Sequence, residues 1–307
     1  MYPRCDEGGH TVKTVPPIDE LEARKLEETC YRVRKGILTL VYNIGMGHLG
    51  GEMSMVEMAV ALYYRYLNFD VLDPHKPDRD RFVLSKGHCS ETLYTIFSDL
   101  GAYDMQYMID NFECLDKSKF GMHTNRKYCP QVEVSAGSLG HGLPISVGMA
   151  LAGRKQKAPW RVFVMTGDGE LGEGTNWEAI MAAGHYGLGN LTLIVDKNKL
   201  QMTGPTADVM NNDPLDKKLE AFGWDVRVIE DGNDIMQVCK ALDAVPQADP
   251  VTRTKPIALI SNTEKGHGVD FMAGNVKWHG GGLGTEDYEH AIAYVESEWE
   301  RRKAQWQ

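Results

Sequence analysis

The sequence predicts an α/β fold: a doubly wound, mostly parallel sheet with helices on both faces. Three observations predict it. Val162 to Thr166 is a continuous apolar run of strand length, as expected of a strand covered on both faces. A glycine-rich loop, Gly167 to Gly174, then leads into residues at helical spacing (Trp177, Ile180, Met181, Gly184) and a second apolar run, Leu191 to Val195. The right-handed crossover of such a unit makes its two strands parallel. Third, strand and helix patterns keep alternating after it, and 307 residues without a Pro-, Gly- or Ser-rich linker suit one large domain.

The elements follow in order. Residues 1–20, with Gly8-Gly9 and Pro16-Pro17, read as an N-terminal arm, and the domain is expected over 21–307. A helix is expected from Glu20 to Asn43, then a turn, Gly45 to Gly51. Ser54 and Glu57 have the spacing of a capping box, in which each side chain satisfies a first-turn donor, opening a helix through Leu67. A polar loop from Asp73 to Asp80 precedes a short buried strand, Phe82 to Ser85, which ends at Lys86-Gly87-His88. After the central unit come a helix near Leu215–Phe222, a strand Val226–Ile229, a helix after Asn233 and a strand Ile257–Ile260. Glu286 to Gln307 reads as a charged helix.

Composition narrows the function. With 42% hydrophobic and 25% charged residues, usage is ordinary for a globular protein. The net charge of −10 argues against nucleic acid or an anionic membrane as partner. Met1 to Lys25 has no apolar stretch of signal-peptide type, and no run of about 18 apolar residues occurs, so a cytoplasmic protein is expected. The six cysteines show no CxxC and no ligand spacing, which favours reduced thiols over disulfides or zinc.

The loop after the first central strand is ambiguous. Gly167-Asp168-Gly169-Glu170-Leu171-Gly172 matches G-x-G-x-x-G, and Asp196 ends the next strand about where a ribose-binding acid would sit, so a nicotinamide-dependent oxidoreductase is one reading. Charge speaks against it, because Asp168 and Glu170 would repel a pyrophosphate directly. A divalent cation bridging Asp168 to phosphates reverses that argument. Mg²⁺ takes only a few oxygens from protein. Asn198 lies 30 residues after Asp168, so one βαβ unit brings both to the ligand-binding edge of the sheet. A backbone carbonyl two residues later, at Leu200, completes a donor set, and Gly167 and Gly169 allow close approach of a diphosphate.

Gly-Asp-Gly followed about thirty residues later by Asn resembles the thiamine diphosphate motif, and the chain from about Leu21 to Gly284 resembles the N-terminal half of a transketolase. The other blocks are Gly47-His48-Leu49-Gly50-Gly51, Asp78 through Phe82-Val83-Leu84-Ser85-Lys86-Gly87-His88, Val132 through Ser135-Ala136-Gly137-Ser138-Leu139-Gly140-His141-Gly142, and Trp278-His279-Gly280. The resemblance implies thiamine diphosphate and Mg²⁺ as cofactors, with Ca²⁺ or Mn²⁺ able to take the metal's place. It implies Asp168, Asn198 and the Leu200 carbonyl as metal ligands. His88, Gly137, Ser138, Leu139, Gly169, Glu173, Asn198 and His279 are the implied cofactor contacts, and His48, His123 and His279 the implied catalytic residues facing the sugar. Glu173 and Glu178 are implied near a dimer axis, linking two cofactor sites; both are equally placed to favour a helix N-terminus by charge alone. His141, Leu49 and Lys197 depart from the commoner pattern, which bears on substrate preference more than on cofactor binding.

Full-length transketolases continue into a pyrimidine-binding domain and a C-terminal domain. The expectation is therefore the N-terminal subunit of a split transketolase, moving a two-carbon ketol unit from a ketose, of sugar-phosphate type, to an aldose. Its partner would be a C-terminal subunit carrying the pyrimidine-binding domain, in a heterotetramer of two copies of each chain. Dihydroxyacetone synthase, deoxyxylulose-phosphate synthase and a 2-oxo acid dehydrogenase chain are alternatives of the same cofactor class.

Overall fold

A computed structural model describes residues 15–114, 118–246 and 254–306. Residues 1–14 of the expected arm, and Cys5 with them, lie outside the described residues. Residues 15–19 run extended against the domain, where Arg65 donates to the Pro16 carbonyl and the Ile18 N–H donates to Asp243.

Helix α1 spans Glu20–Ile44. Asp19 caps it by accepting from the Glu22 N–H at 2.8 Å, and Gly45, left-handed at φ 76°, closes it by donating to the Val41 carbonyl. The helix expected to open at Ser54 is instead three pieces: α2 (Leu49–Ser54), α3 (Val56–Ala61) and a wide π-turn (Leu62–Tyr66). No capping box forms, because both of its residues have stronger tertiary partners. The Ser54 hydroxyl donates to Asp196 at 2.6 Å, and Glu57 accepts from the buried Arg34 at 2.6 Å and from Asn233.

Strand β1 (Arg81–Leu84) leads to three helices that the sequence pattern does not announce: α4 (Ser90–Asp99), α5 (Met105–Asp110) and α6 (Gly142–Gln156). Then come β2 (Val162–Gly167), a 3₁₀ turn (Gly169–Gly172), α7 (Gly174–Tyr186), β3 (Leu191–Lys197), α8 (Thr206–Val209), α9 (Leu215–Ala221) and β4 (Asp225–Ile229). The chain continues through α10 (Ile235–Asp243), β5 (Ile257–Asn262), a 3₁₀ turn (Val276–His279) and α11 (Thr285–Ala304).

All five strands are parallel, in the order β1-β2-β3-β5-β4. Alternate residues of β2 enter different cores. Phe163 and Met165 pack with α1, α3, α4 and α10, whereas Val162 and Val164 pack with α6, α7 and α9. The sheet is thus covered on both faces, which is why its strands read as unbroken apolar runs. Among the described residues no helix is long and apolar enough to cross a membrane.

Close packing on the second face gives a test. A Cβ on Gly184 of α7 would lie 1.9 Å from the Phe222 carbonyl oxygen, while one on Gly174 meets nothing within 4 Å. Gly184→Ala should lower stability by about 1–3 kcal/mol through overpacking. Urea unfolding checks this, with Gly174→Ala as the variant that stays near wild type.

Candidate active site

The carboxyl ends of four strands meet at one cavity of about 320 Å³. Strand β2 delivers Asp168 and Gly169, β3 delivers Asn198 and Leu200, β1 delivers Lys86 and His88, and β5 leads to Lys265. The remaining wall comes from loops. An antiparallel bridge between Gly47 and Gly281, with N–H···O distances of 3.0 and 2.9 Å, ties the turn holding His48 to the segment after His279.

Four histidines gather there, as the resemblance implied. The His48 ring lies 5.2 Å from His88, 5.9 Å from His123 and 5.9 Å from His279, centre to centre, and His88 stacks on His279 at 5.5 Å. Burial, followed by the neighbouring His123 and Lys265, lowers the pKa of His48. Burial and Lys86 hold His88 well below the usual imidazole range. Burial and Lys265 push His279 down to about 4. These three rings are neutral at pH 7, so each offers one N–H donor and one nitrogen acceptor to a polyhydroxylated ligand.

Asp168 is buried and held on both oxygens. Oδ1 accepts from the Gly169 N–H at 2.9 Å, and Oδ2 accepts from the Lys199 N–H and the Thr206 hydroxyl at 3.0 Å each. Burial and the charge of Asp196 raise its pKa. Lys199 must enter the left-handed region (φ 67°) to present that N–H. Asn198 donates through Nδ2 to Asp196 at 3.2 Å, and its oxygen accepts from the Leu200 N–H.

Two further groups carry no motif of their own in the sequence. Lys265 donates to the Leu200 carbonyl at 3.0 Å and to His279 Nδ1 at 2.7 Å, and burial, with Lys86 nearby, brings its pKa to about 8. Its position just past the end of β5, on the ligand edge, was the available signal. Glu170 is buried and accepts from the Ser85 hydroxyl and from the Gly140 and Gly167 N–H groups at 3.0 and 3.1 Å. Its carboxylate is therefore a strut between three loops, which explains how an acid is tolerated inside the G-x-G-x-x-G match.

The dinucleotide reading fails at Asp196. Its oxygens take donors from Lys86, Ser54, Asn198 and Thr263 in a buried network, and none is left for a ribose. Two expected cofactor contacts also lie outside the cavity. Ser138 is exposed, with its hydroxyl 3.3 Å from His141 Nδ1, so only Gly137 and Leu139 of that triplet line the wall. Glu173 and Glu178 are exposed, and Glu173 precedes α7 without making a capping bond.

The donors present fit a diphosphate held with a hard cation. Asp168, the Asn198 amide and the Leu200 carbonyl are all oxygen ligands, few in number, as Mg²⁺ prefers. Among the described residues no cluster of three His, Cys, Asp or Glu side chains competes for a metal. Two buried polar atoms of the cavity residues, His48 Nδ1 and Gln201 Nε2, have no partner within the chain. A Cβ on Gly169 would strike Gln201 at 2.7 Å and one on Gly51 would strike Cys89 at 2.8 Å, so the walls have no room for larger residues there.

Fold and site together define an α/β domain that binds a phosphorylated cofactor at the carboxyl edge of a parallel sheet. Residues 28–300 match the family described as "Transketolase, thiamine diphosphate binding domain", and the chain belongs to that family. It is 41% identical over 256 residues to one of the two chains of an apulose-4-phosphate transketolase from Actinobacillus succinogenes, covering 83% of this chain and 90% of that one. It is 34% identical to the "6-deoxy-6-sulfo-D-fructose transketolase subunit SqwG" of a Clostridium species, over 87% of this chain and 94% of the other. Among solved structures, transketolase from Leishmania mexicana superposes with a TM-score of 0.79 at 27% identity, covering 91% of this chain; the chain spans 45% of that longer protein.

The neutral cluster predicts a titration. Ring NMR shifts of His279 in the chain should show no change of charge between pH 5.5 and 8. Its depressed pKa means that the unfolded chain takes up the proton first, so stability is lost as pH falls from about 6.5, the unfolded value, toward 4. A His279 transition near pH 6.5 would contradict the geometry.

Proposed function

We propose that this chain is the diphosphate-binding subunit of a two-chain transketolase, acting with a second subunit that completes the site. The observation that supports it most is one cavity holding the oxygen donors Asp168, Asn198 and Leu200 together with His48, His88, His123 and His279. In this reading Asp168, Asn198 and the Leu200 carbonyl hold Mg²⁺, and Lys265 leaves that carbonyl to face the diphosphate. Gly137, Leu139 and Gly169 form the wall against the cofactor, with His88 beside the phosphates. Bound thiamine diphosphate supplies the electron sink that lets a carbon–carbon bond next to a carbonyl break.

The chain's own residues bind and orient. His48, His123 and His279 hydrogen-bond the hydroxyls of a ketose and can receive or return a proton at an imidazole nitrogen as the two-carbon unit leaves for an aldose. Lys265, donating to His279 Nδ1, leaves the proton on Nε2 and so sets which face of that ring gives and which takes. Ser138, Glu173 and Glu178, exposed beside the cavity, are placed to meet a partner subunit or a second copy, in a heterotetramer. The relatives named for apulose-4-phosphate and for a sulfofructose support an uncommon ketose, phosphorylated or sulfonated, as donor.

Calorimetric titration of thiamine diphosphate with Mg²⁺, in the presence of the partner subunit, tests the reading. Asp168→Ala should weaken cofactor binding by more than the roughly 10–100-fold caused by outer-shell changes at metal sites. Unchanged affinity would remove the assignment. No ketol transfer by the assembled pair, despite tight cofactor binding, would leave the domain assignment standing and remove the activity.

A further inference from the structure

Glu52 and Glu91 are both fully buried, and neither belongs to the machinery described above. Glu52 lies on α2, and its N–H donates to the His48 carbonyl at 3.1 Å. Glu91 lies in the first turn of α4, three residues after His88. Each carboxyl uses one oxygen conventionally. Glu52 Oε2 accepts from the Thr92 N–H at 2.6 Å and from the Thr92 hydroxyl, and Glu91 Oε2 accepts from the Ser90 hydroxyl at 3.0 Å. The other oxygen of each, Oε1, finds no donor anywhere among the described residues. The two carboxyl groups meet each other instead.

Two acceptors facing one another in a dry interior repel unless a proton lies between them. Lys86 is the nearest cation, and its ammonium is already bonded to Asp196 and to the Gly51 carbonyl. The other titratable groups facing the pair are the Cys89 thiol and the Tyr94 hydroxyl, which burial keeps neutral. Lys86 therefore does not neutralise two carboxylates. Burial raises the pKa of both glutamates, and the charge of Glu52 adds to the effect on Glu91.

The backbone of the His48 turn rests on this pair, since a Cβ on Gly47 would lie 3.3 Å from Glu91 Oε1. With Nδ1 of His48 unpartnered, the turn beneath it decides where the ring stands. We propose that Glu52 and Glu91 share a single proton and through it act as positioning residues, locking the turn that carries His48 onto the segment that carries His88.

The test has two arms. Isotope-edited infrared spectroscopy of the full chain at pH 7 should show one buried protonated carboxyl, absent from Glu52→Gln and from Glu91→Gln, in which an amide N–H replaces the shared proton. Between pH 5 and 8 the wild-type unfolding constant should rise by up to about tenfold per pH unit relative to either glutamine variant, the linkage of one extra proton held only when folded. A missing band, a band that persists in both variants, or parallel pH profiles overturns the shared proton. The second arm rests on the two-chain transketolase reading. In the assembled enzyme Glu91→Ala should raise the KM for the ketose about tenfold with kcat little changed, and Glu91→Gln should restore it. An unchanged KM in Glu91→Ala overturns the positioning role. If that variant does not fold, the shorter Glu91→Asp, which cannot reach Glu52, serves the same comparison. An inactive wild-type pair with the infrared band present counts against the function alone.

Discussion

The buried contact between Lys86 and Asp196 is the constraint on which the site depends. Lys86 follows β1 and Asp196 lies in β3, so the pair reaches across the end of β2, above Gly167. Lys86 is also bonded to the Gly51 carbonyl, and Asp196 accepts from Ser54, Asn198 and Thr263. One ion pair thereby fixes three strand ends, the helix after His48 and the amide beside Asp168. A buried pair of this kind adds little net stability against an apolar equivalent, but removing one partner leaves an uncompensated charge and costs about 3–5 kcal/mol. Its value here lies in register: the cavity's residues are set relative to one another before any ligand arrives.

Three carboxylates stand within the same few residues of strand end, and their surroundings give them different work. Asp168 faces the cavity with only neutral donors around it. Glu170 is saturated by two backbone N–H groups and a hydroxyl, and joins loops from β1, β2 and the segment before α6. Asp196 serves the ion pair. The histidines show the complementary logic. Crowding His48, His88 and His279 beside two lysines makes every added positive charge unfavourable, so these rings stay neutral and the cavity's positive charge resides on Lys86 and Lys265.

The strands were legible in the sequence because both faces of the sheet are covered, and β2, β3 and β5 appear within one or two residues of where their apolar runs predicted. Helix α4 escaped notice because it is buried nearly all round, which erases amphipathic periodicity. Helix α6 carries Gly142, Gly148 and Gly153, poor helix formers whose cost is offset by tertiary contacts such as that of Gly153 with Trp160. The capping box misled because Ser54 and Glu57 answer to partners more than twenty residues away. In the site, the motif residues Asp168, Asn198, His48, His88, His123 and His279 converge as their blocks implied. Lys265 and the Glu52–Glu91 contact could not be read, since what matters about them is which other groups face them.

The left-handed backbone at Lys199 has a bearing on how this protein can vary. Asp168 holds that conformation in place through the Lys199 N–H, and the chain reversal it makes turns Leu200 back toward the strand it has just left. Glycine, asparagine and aspartate enter this region with little penalty, whereas valine, isoleucine and threonine do not. Over evolutionary time the side chain at position 199 is therefore free to change charge and length, and is barred from branching at Cβ. A position between two site residues, whose own side chain takes no part in the chemistry, is in this way restricted by geometry alone.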